Sequence, residues 1–593
     1  MPDLVNLSTE SESYIRKPAP SVTRHPVADI VVFLSLWFVV TCLQFFSGAF
    51  SGAFGSQPDE PSHYVTGLMI RDYIAAGFPG SPTQFAESFY LHYPRVAFGL
   101  WPPLFHIASG VWMFLFGESR QSALALLATV TALWGYIFFR MLAPRFGFAR
   151  SLVAALLLIS LPSVQTSAAA VMLDMAVAPA ILVAMIQFGR YLETESNRDA
   201  LLFGIYAAVA ALVKYNGLML ALLPPLCVLM TGRYFLLRRI SFWIPAVVVL
   251  VVAGPWYVAM RDLVVYAAEP GVETDFWTTA AGNAFDLVQL GGPVLFVLAM
   301  IGAGLAVRSS RRQSTDSGHH ARDWHANLHV SAVGVLFSSW LFHTVLYPIQ
   351  GPRYLLPAAA SLIMLALLAL DTAVRALRFA PLKPRVTDIA AMTVLILPYA
   401  AFTFYTPKKD TADFMVVADK ILATPLPANS VILVASDAVG EGAFVSEIAM
   451  RGPRSRYFVA RSSKFLARQT LMGLEYKNLF ETNAHLMEAL DAVPVSIAVL
   501  DECGPQPCEE HRLLLARLAR DMPGRWEAVD SVAKKSGGQI RIYQLKGNEG
   551  KPFNRLSIDM RYTLGGSIGT SAGEGGRSSP LREPSPNREM KKE

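Results

Sequence analysis

The chain is short of charge. Of its 593 residues only 16% are Asp, Glu, Lys or Arg, while 53% are hydrophobic; charge falls about a third below, and apolar content above, what soluble domains carry. That balance excludes an ordinary water-soluble globular protein and points to a polytopic α-helical membrane protein. Cysteine is scarce too. Cys42 and Cys227 fall in apolar runs, which leaves one pair, Cys503 and Cys508, on either side of Gly504-Pro505-Gln506-Pro507. A dense disulfide scaffold is excluded, and a single small disulfide loop is expected. Gly440-Glu441-Gly442, after the strand-like run Val431 to Ala435, has no third glycine and no Lys-Ser/Thr behind it. Neither a dinucleotide fingerprint nor a nucleotide phosphate loop is therefore present, and direct use of a nucleotide is not expected.

Apolar runs near the length needed to cross a roughly 30 Å hydrocarbon core recur from about residue 28 to about residue 405 and then stop. The first, about 27–46, follows Arg16, Lys17 and Arg24. It is too long for a signal-peptide core and leads straight into Ser47 to Gly55 without a small-residue cleavage site, so it reads as a retained anchor behind a cytoplasmic segment 1–26. Further runs at about 123–142, 151–168, 174–192, 200–213, 217–232, 241–260, 287–307, 328–347, 354–374 and 388–405 bring the expected number of transmembrane helices to about eleven. Basic clusters, such as Arg140, Arg145 and Arg150 or Arg308, Arg311 and Arg312, alternate with basic-poor loops. The positive-inside bias explains the net charge of +6 more simply than nucleic-acid binding does. With those clusters cytoplasmic, the chain starts inside and ends outside, provided the short segment 102–117, which opens on Pro102 and Pro103, lies along or re-enters the membrane. His319, His320, His325 and His329 then fall in a solvated cytoplasmic connection.

The chemistry-bearing residues collect on the external side. Asp59 and Glu60 stand in Gln57-Pro58-Asp59-Glu60-Pro61-Ser62-His63-Tyr64, where Pro61 suits the first turn of a helix and Val65, Leu68 and Met69 give it an apolar face. An ionised carboxylate there can take a proton from an attacking hydroxyl; an acidic helix cap uses the same residues. His63, His92 and Tyr93 share the external loop, about 48–100, as substrate-pocket candidates. A divalent cation bridging Asp59, His63 and an anionic substrate is one alternative, and ordinary interface residues without fixed metal spacing are the other. Asp174, Lys214 and Arg353, each at the mouth of an apolar run, are costly near hydrocarbon and therefore candidates for function; for Asp174 a local helix cap is the alternative, and for the two cations snorkelling to headgroups is. A lipid phosphate held by Lys214 or Arg353 while a carboxylate activates a nucleophile is the task these signs fit.

The order of these motifs, with Trp101-Pro102-Pro103-Leu104 closing the acidic loop, Lys214-Tyr215-Asn216-Gly217, and Gly351-Pro352-Arg353-Tyr354-Leu355-Leu356-Pro357, resembles the GT-C glycosyltransferases over about residues 27–405. The nearest branch contains the protein O-mannosyltransferases and the bacterial lipid A aminoarabinose transferases. The resemblance implies transfer of a sugar from a polyprenyl-phosphate donor to an acceptor on the external face of a bacterial inner (plasma) membrane. It implies Asp59 as base, Glu60 orienting a substrate, Asp174 as the second acidic position, and Lys214 and Arg353 near the carrier phosphate, with Tyr354 beside them. Mannosyltransferases usually carry His-Pro-Pro where this chain has Trp101-Pro102-Pro103, which leaves the acceptor, lipid, protein or glycan, open. A transporter or flippase for a lipid-linked saccharide is the other reading of the same charges; related halves are its signature, yet the acidic loop occurs once. No cofactor is assigned.

Beyond the last apolar run, 408–547 reads as an external soluble α/β domain. Strand-like runs at Val431 to Ala435, Val495 to Leu500 and Ile540 to Leu545 alternate with helical patterns at Ala484 to Leu490 and His511 to Asp521. From 548 to 593 Gly, Ser, Pro and charges dominate, the composition of a disordered tail.

Overall fold

The structure is a computed structural model that describes residues 26–263, 275–315, 324–377, 384–409, 413–469, 476–503, 508–535, 537–548 and 551, with short strands at Leu556–Asp559, Ser567–Thr570 and Ser579–Leu581. The expected cytoplasmic segment lies almost wholly outside these residues. So does most of the expected tail, whose three described strands pair antiparallel with one another.

Helix α1 (Pro26–Phe46) buries Leu36, Val40 and Gln44 and turns Ile30, Leu34, Phe38 and Phe45 outward, the face a bilayer covers. The chain then forms α2 (Glu60–Ala75), α3 (Pro82–His92) and α4 (Leu104–Phe116). The 13 residues of α4 reach about 20 Å, short of a roughly 30 Å core. It lies on α2, and the two backbones close up at glycine: a Cβ on Gly110 would stand 2.6 Å from Ile70 Cγ2.

Helix α5 (Arg120–Phe146) is a full-length span, but the run expected as one span over 151–168 divides into α6 (Phe148–Ser160) and α7 (Pro162–Ala168), bent by 64°. Pro162 is the cause. It has no N–H for the helical ladder and forces Leu161 to φ −56°, ψ 135°. Helix α8 (Leu173–Thr194) packs against α9 (Asn197–Val213), followed by the 3-10 turn Tyr215–Ala221, α10 (Leu223–Thr231), α11 (Ile240–Val252) and α12 (Gly254–Ala259). The run expected over 287–307 also breaks. Helix α13 (Phe276–Gly291) stops at Gly292, φ 86°, and Pro293 opens α14 (Pro293–Thr315). Helix α15 (Trp324–Leu341) runs into a π-turn at Phe342–Leu346, and α16 (Ala359–Leu377) and α17 (Pro384–Phe402) follow.

Among the described residues six helices are long and apolar enough to cross a membrane, seven if the bent pair counts as one, and four further apolar helices are shorter. The chain is an integral membrane protein; among the described residues its full-length apolar helices are fewer than the eleven runs read from hydropathy, because run lengths do not register proline and glycine breaks. His329 is buried in α15, not solvated, since that helix starts four residues earlier than its hydropathy suggests; His319 and His320 lie outside the described residues.

The soluble domain follows as α18 (Phe414–Ala423), β1 (Val431–Ala435), α19 (Ala438–Arg451), β2 (Phe458–Arg461), α20 (Asn483–Ala492), β3 (Val495–Asp501), α21 (Glu510–Asp521), β4 (Trp526–Ala533) and β5 (Gln539–Leu545). Its sheet has the order β2-β1-β3-β5-β4, parallel over the first three strands and antiparallel thereafter. Every residue of β1 is buried, as a central strand covered on both faces requires. Cys503 and Cys508 form the expected disulfide. The domain is docked on the membrane part: α19 packs on α2, and Glu447 of α19 pairs with Arg120 at the start of α5 in a buried ion pair.

Candidate active site

Asp59 occupies the N-cap of α2, but its backbone is helical (φ −82°, ψ −25°) and its side chain makes no capping bond. Its carboxylate accepts no hydrogen bond among the described residues. A capping role therefore does not account for it. Burial raises its pKa, the charges of Arg353, Lys214 and Arg95 pull it back, Asp174 pushes it up again, and the balance lies above the usual aspartate range. These couplings put residues from α2, α8, the α9 end and the loop before α16 in one electrostatic neighbourhood.

Lys214 reaches that neighbourhood because α9 stops at Val213 and Lys214 takes an extended conformation, φ −156°, ψ 150°. The following 3-10 turn folds back on α9, which only glycine permits: a Cβ on Gly217 would lie 2.2 Å from the Ala210 carbonyl carbon. Lys214 Nζ donates to Asp174 Oδ1 at 2.5 Å in a pair of which both members are buried, and Nζ lies 5.2 Å from the Tyr354 ring centre. Arg353 follows a turn that starts at Gly351, where φ 134° suits glycine and the N–H donates to Asp286 Oδ2 at 2.6 Å. Its guanidinium covers the Tyr354 ring at 4.7 Å and donates to Tyr354 Oη at 2.6 Å and to Gln57 Oε1 at 3.1 Å. Asn216 Nδ2 donates to the Tyr354 carbonyl at 3.0 Å, joining the two cation-bearing turns.

His63, one turn into α2, pairs through Nδ1 with His106 Nε2 at 3.1 Å and meets the edge of Trp101 at 4.5 Å between ring centres. His106 donates its other ring N–H to the Pro102 carbonyl, so its Nε2 accepts from His63 Nδ1–H and His63 keeps a lone pair on Nε2. Burial, and after it His106, Lys214 and Arg353, hold the His63 pKa well below the usual histidine range, so the ring is neutral.

Glu60, His92 and Tyr93 face elsewhere. Glu60 is fully buried and closed by four donors: Lys409 Nζ at 2.6 Å and Val171 N at 3.2 Å on Oε1, Ser56 N at 3.0 Å and Ser56 Oγ at 2.8 Å on Oε2. His92 stacks on Phe458 at 4.2 Å and bonds through Nδ1 to the Tyr457 carbonyl at 3.0 Å; Tyr93 Oη accepts from Ser455 N at 3.2 Å. All three fasten the acidic loop to the soluble domain or its linker. Among the described residues no group of three or more His, Cys, Asp or Glu side chains is placed to hold a metal ion.

The sequence reading missed His106, Arg95, Gln57 and Lys409. His106 has a faint signal, one turn after Trp101-Pro102-Pro103. Arg95 donates to the carbonyls of Pro58 (3.4 Å) and Ala438 and so links the acidic loop to α19; nothing local distinguishes it.

No protein-family model matches the chain, and no curated protein matches it. Among solved structures, ArnT from Cupriavidus metallidurans in the apo state superposes with a TM-score of 0.54 at 14% identity, over 89% of this chain and 100% of ArnT. The chain has the GT-C fold. ArnT from the same organism bound to undecaprenyl phosphate aligns at 15% identity and TM-score 0.48 over 89% of this chain and 99% of that one. An Archaeoglobus fulgidus oligosaccharyltransferase tethered to an acceptor peptide aligns at 11% and 0.47, over 87% and 74%. The cation-bearing turns and the acidic loop sit at helix ends, on the side where the soluble domain docks.

Proposed function

We propose that this protein is a glycosyltransferase of a bacterial inner membrane, moving a sugar from a polyprenyl-phosphate carrier to an acceptor on the external face, where the soluble domain also lies. The observation that carries the reading is the Asp59 carboxylate, uncapped at a helix N-terminus and coupled to the cations Arg353 and Lys214. In this reading Asp59 takes the proton of the acceptor's nucleophile as that atom bonds to the anomeric carbon from one face. The bond from the anomeric carbon to the phosphate oxygen breaks on the other, which inverts the configuration. The polyprenyl phosphate leaves with its charge held by Arg353 and Lys214.

Asp174 is a positioning residue here. Its carboxylate accepts from Lys214 Nζ and holds that side chain in place, leaving two of its three N–H donors for phosphate oxygens. Tyr354 fixes Arg353 in the same way. ArnT from Cupriavidus metallidurans has been solved with undecaprenyl phosphate, which supports a polyprenyl phosphate as carrier for a chain of the apo enzyme's fold. Translocation of a lipid-linked saccharide explains the charges less well, since it needs no uncapped carboxylate.

The test is transfer in proteoliposomes, with polyprenyl-phosphate sugar and a membrane extract as acceptor source. Wild type should release polyprenyl phosphate and label an acceptor, and Asp59→Asn should lose about 100-fold or more in rate with its fold intact. Undiminished turnover in Asp59→Asn removes Asp59 from the base role.

A further inference from the structure

A groove apart from the candidate active site lies at the far end of α14. That helix starts near the candidate active site, since Asp286, on the preceding helix, takes the N–H of Gly351 at the turn that carries Arg353. Arg308, Arg311 and Arg312 come about 20–30 Å farther along its axis, at the opposite boundary of the bilayer. Ala303, Gly304 and Val307 precede them at three- and four-residue steps, so α14 presents one stripe that is apolar and small, then basic. With Met230 at the end of α10 and Phe337 on α15, this stripe lines a cavity of about 570 Å³, within the range that holds small ligands.

The lining selects the ligand. Among the described residues that line it none is acidic, and all are apolar apart from the three arginines. Arg311 Nε donates to the Met230 carbonyl at 2.7 Å, tying the basic rim to α10. Beside it Gly304 leaves the floor open, for a Cβ there would meet nothing within 4 Å. An anion with an apolar tail fits such a groove. From Met300 to Arg312 the stripe extends about 18 Å, close to half of a roughly 30 Å core. An acyl chain confined to one leaflet matches that depth, and a long polyprenyl chain overruns it.

We infer that the groove binds an anionic diacyl phospholipid of the leaflet opposite the candidate active site, with one acyl chain along Ala303, Gly304 and Val307 and the headgroup phosphate between Arg308 and Arg312. The site does not depend on the proposed reaction. It would hold the end of α14, and through that helix the bundle behind Arg353, in a membrane rich in such lipids.

Native mass spectrometry of the full-length protein, delipidated and titrated with phosphatidylglycerol or with phosphatidylcholine of the same acyl chains, tests it. Wild type should retain one phosphatidylglycerol at least about tenfold better than phosphatidylcholine. Arg308→Gln/Arg312→Gln should erase that preference. Gly304→Leu should block retention by filling the groove with every charge in place, and it decides the matter if the double variant fails to fold. Equal retention of the two lipids by wild type overturns the proposal, as does full retention by Gly304→Leu. Displacement of phosphatidylglycerol by an equimolar polyprenyl phosphate overturns the assignment to a diacyl lipid.

Discussion

Asp59 and Glu60 are consecutive residues whose carboxylates belong to different parts of the molecule. Four donors enclose that of Glu60, the strongest of them Lys409 at the entry to the soluble domain, whereas that of Asp59 has no hydrogen-bond partner among the described residues and senses Arg353, Lys214 and Arg95. One carboxylate is closed off by hydrogen bonds and its neighbour is left open.

From this division comes a stability prediction. Glu60 and Lys409 form an ion pair with almost no solvent exposure, and deleting one member of such a pair leaves a buried charge uncompensated, at a cost of about 3–5 kcal/mol. Glu60→Gln and Lys409→Met should each lower the thermal unfolding midpoint in detergent, and the double variant should regain most of the loss and most of the transfer rate. Should Glu60 contact substrate instead, the double variant will recover its stability but not its rate.

The pH dependence follows from the raised pKa of Asp59. A base works only when deprotonated, so kcat/KM should fall as pH drops through that pKa, and the acidic limb should lie above the range of an ordinary aspartate. Arg353 is the cation that lowers this pKa most. Arg353→Gln should therefore shift the limb to higher pH, and Lys214→Gln should shift it in the same direction. A limb that stays fixed in both variants separates Asp59 from the observed ionisation.

Donor binding should divide along the Asp174–Lys214 pair. Losing one charge-assisted bond to phosphate costs about 1.5–3 kcal/mol, so Lys214→Met and Arg353→Gln should each weaken binding of polyprenyl phosphate about 10- to 150-fold, measured by titration. Asp174→Asn leaves the ammonium in place but unanchored. It should weaken binding less than Lys214→Met, and adding it to Lys214→Met should bring no further loss. Independent, additive losses would assign Asp174 a contact of its own.

How much of this was legible in the sequence depends on how far apart the cooperating residues lie. Composition and run lengths were enough for a membrane bundle followed by an α/β domain, and the strands at 431–435, 495–501 and 539–545 fall within a residue of the strand-like runs at 431–435, 495–500 and 540–545. Lys214 and Arg353 were visible because a charge at the mouth of an apolar run is expensive wherever its partner is. Glu60 was misleading, since adjacency to Asp59 suggested a shared task, while its partner Lys409 comes 349 residues later. His92 and Tyr93 misled in the same way: their partners, Tyr457, Phe458 and Ser455, belong to the soluble domain. The divided spans were hidden because one proline or glycine breaks a helix without changing the hydropathy of the run around it.

The orientation of the whole assembly can be tested without disturbing these contacts. If Arg233, Arg238 and Arg239 mark the cytoplasmic side, Leu237 lies there and Val529, on β4 of the soluble domain, lies outside; both side chains are well exposed. With Cys42 and Cys227 replaced by alanine, a membrane-impermeant maleimide should label Val529→Cys in intact spheroplasts and Leu237→Cys only after permeabilisation. The Cys503–Cys508 disulfide does not react with the reagent and serves as an internal control, because it should form in the oxidising space outside the membrane. The reverse labelling pattern would put the soluble domain, with the Asp59 carboxylate that its α19 packs beside, in the cytoplasm, and would rule out an external acceptor.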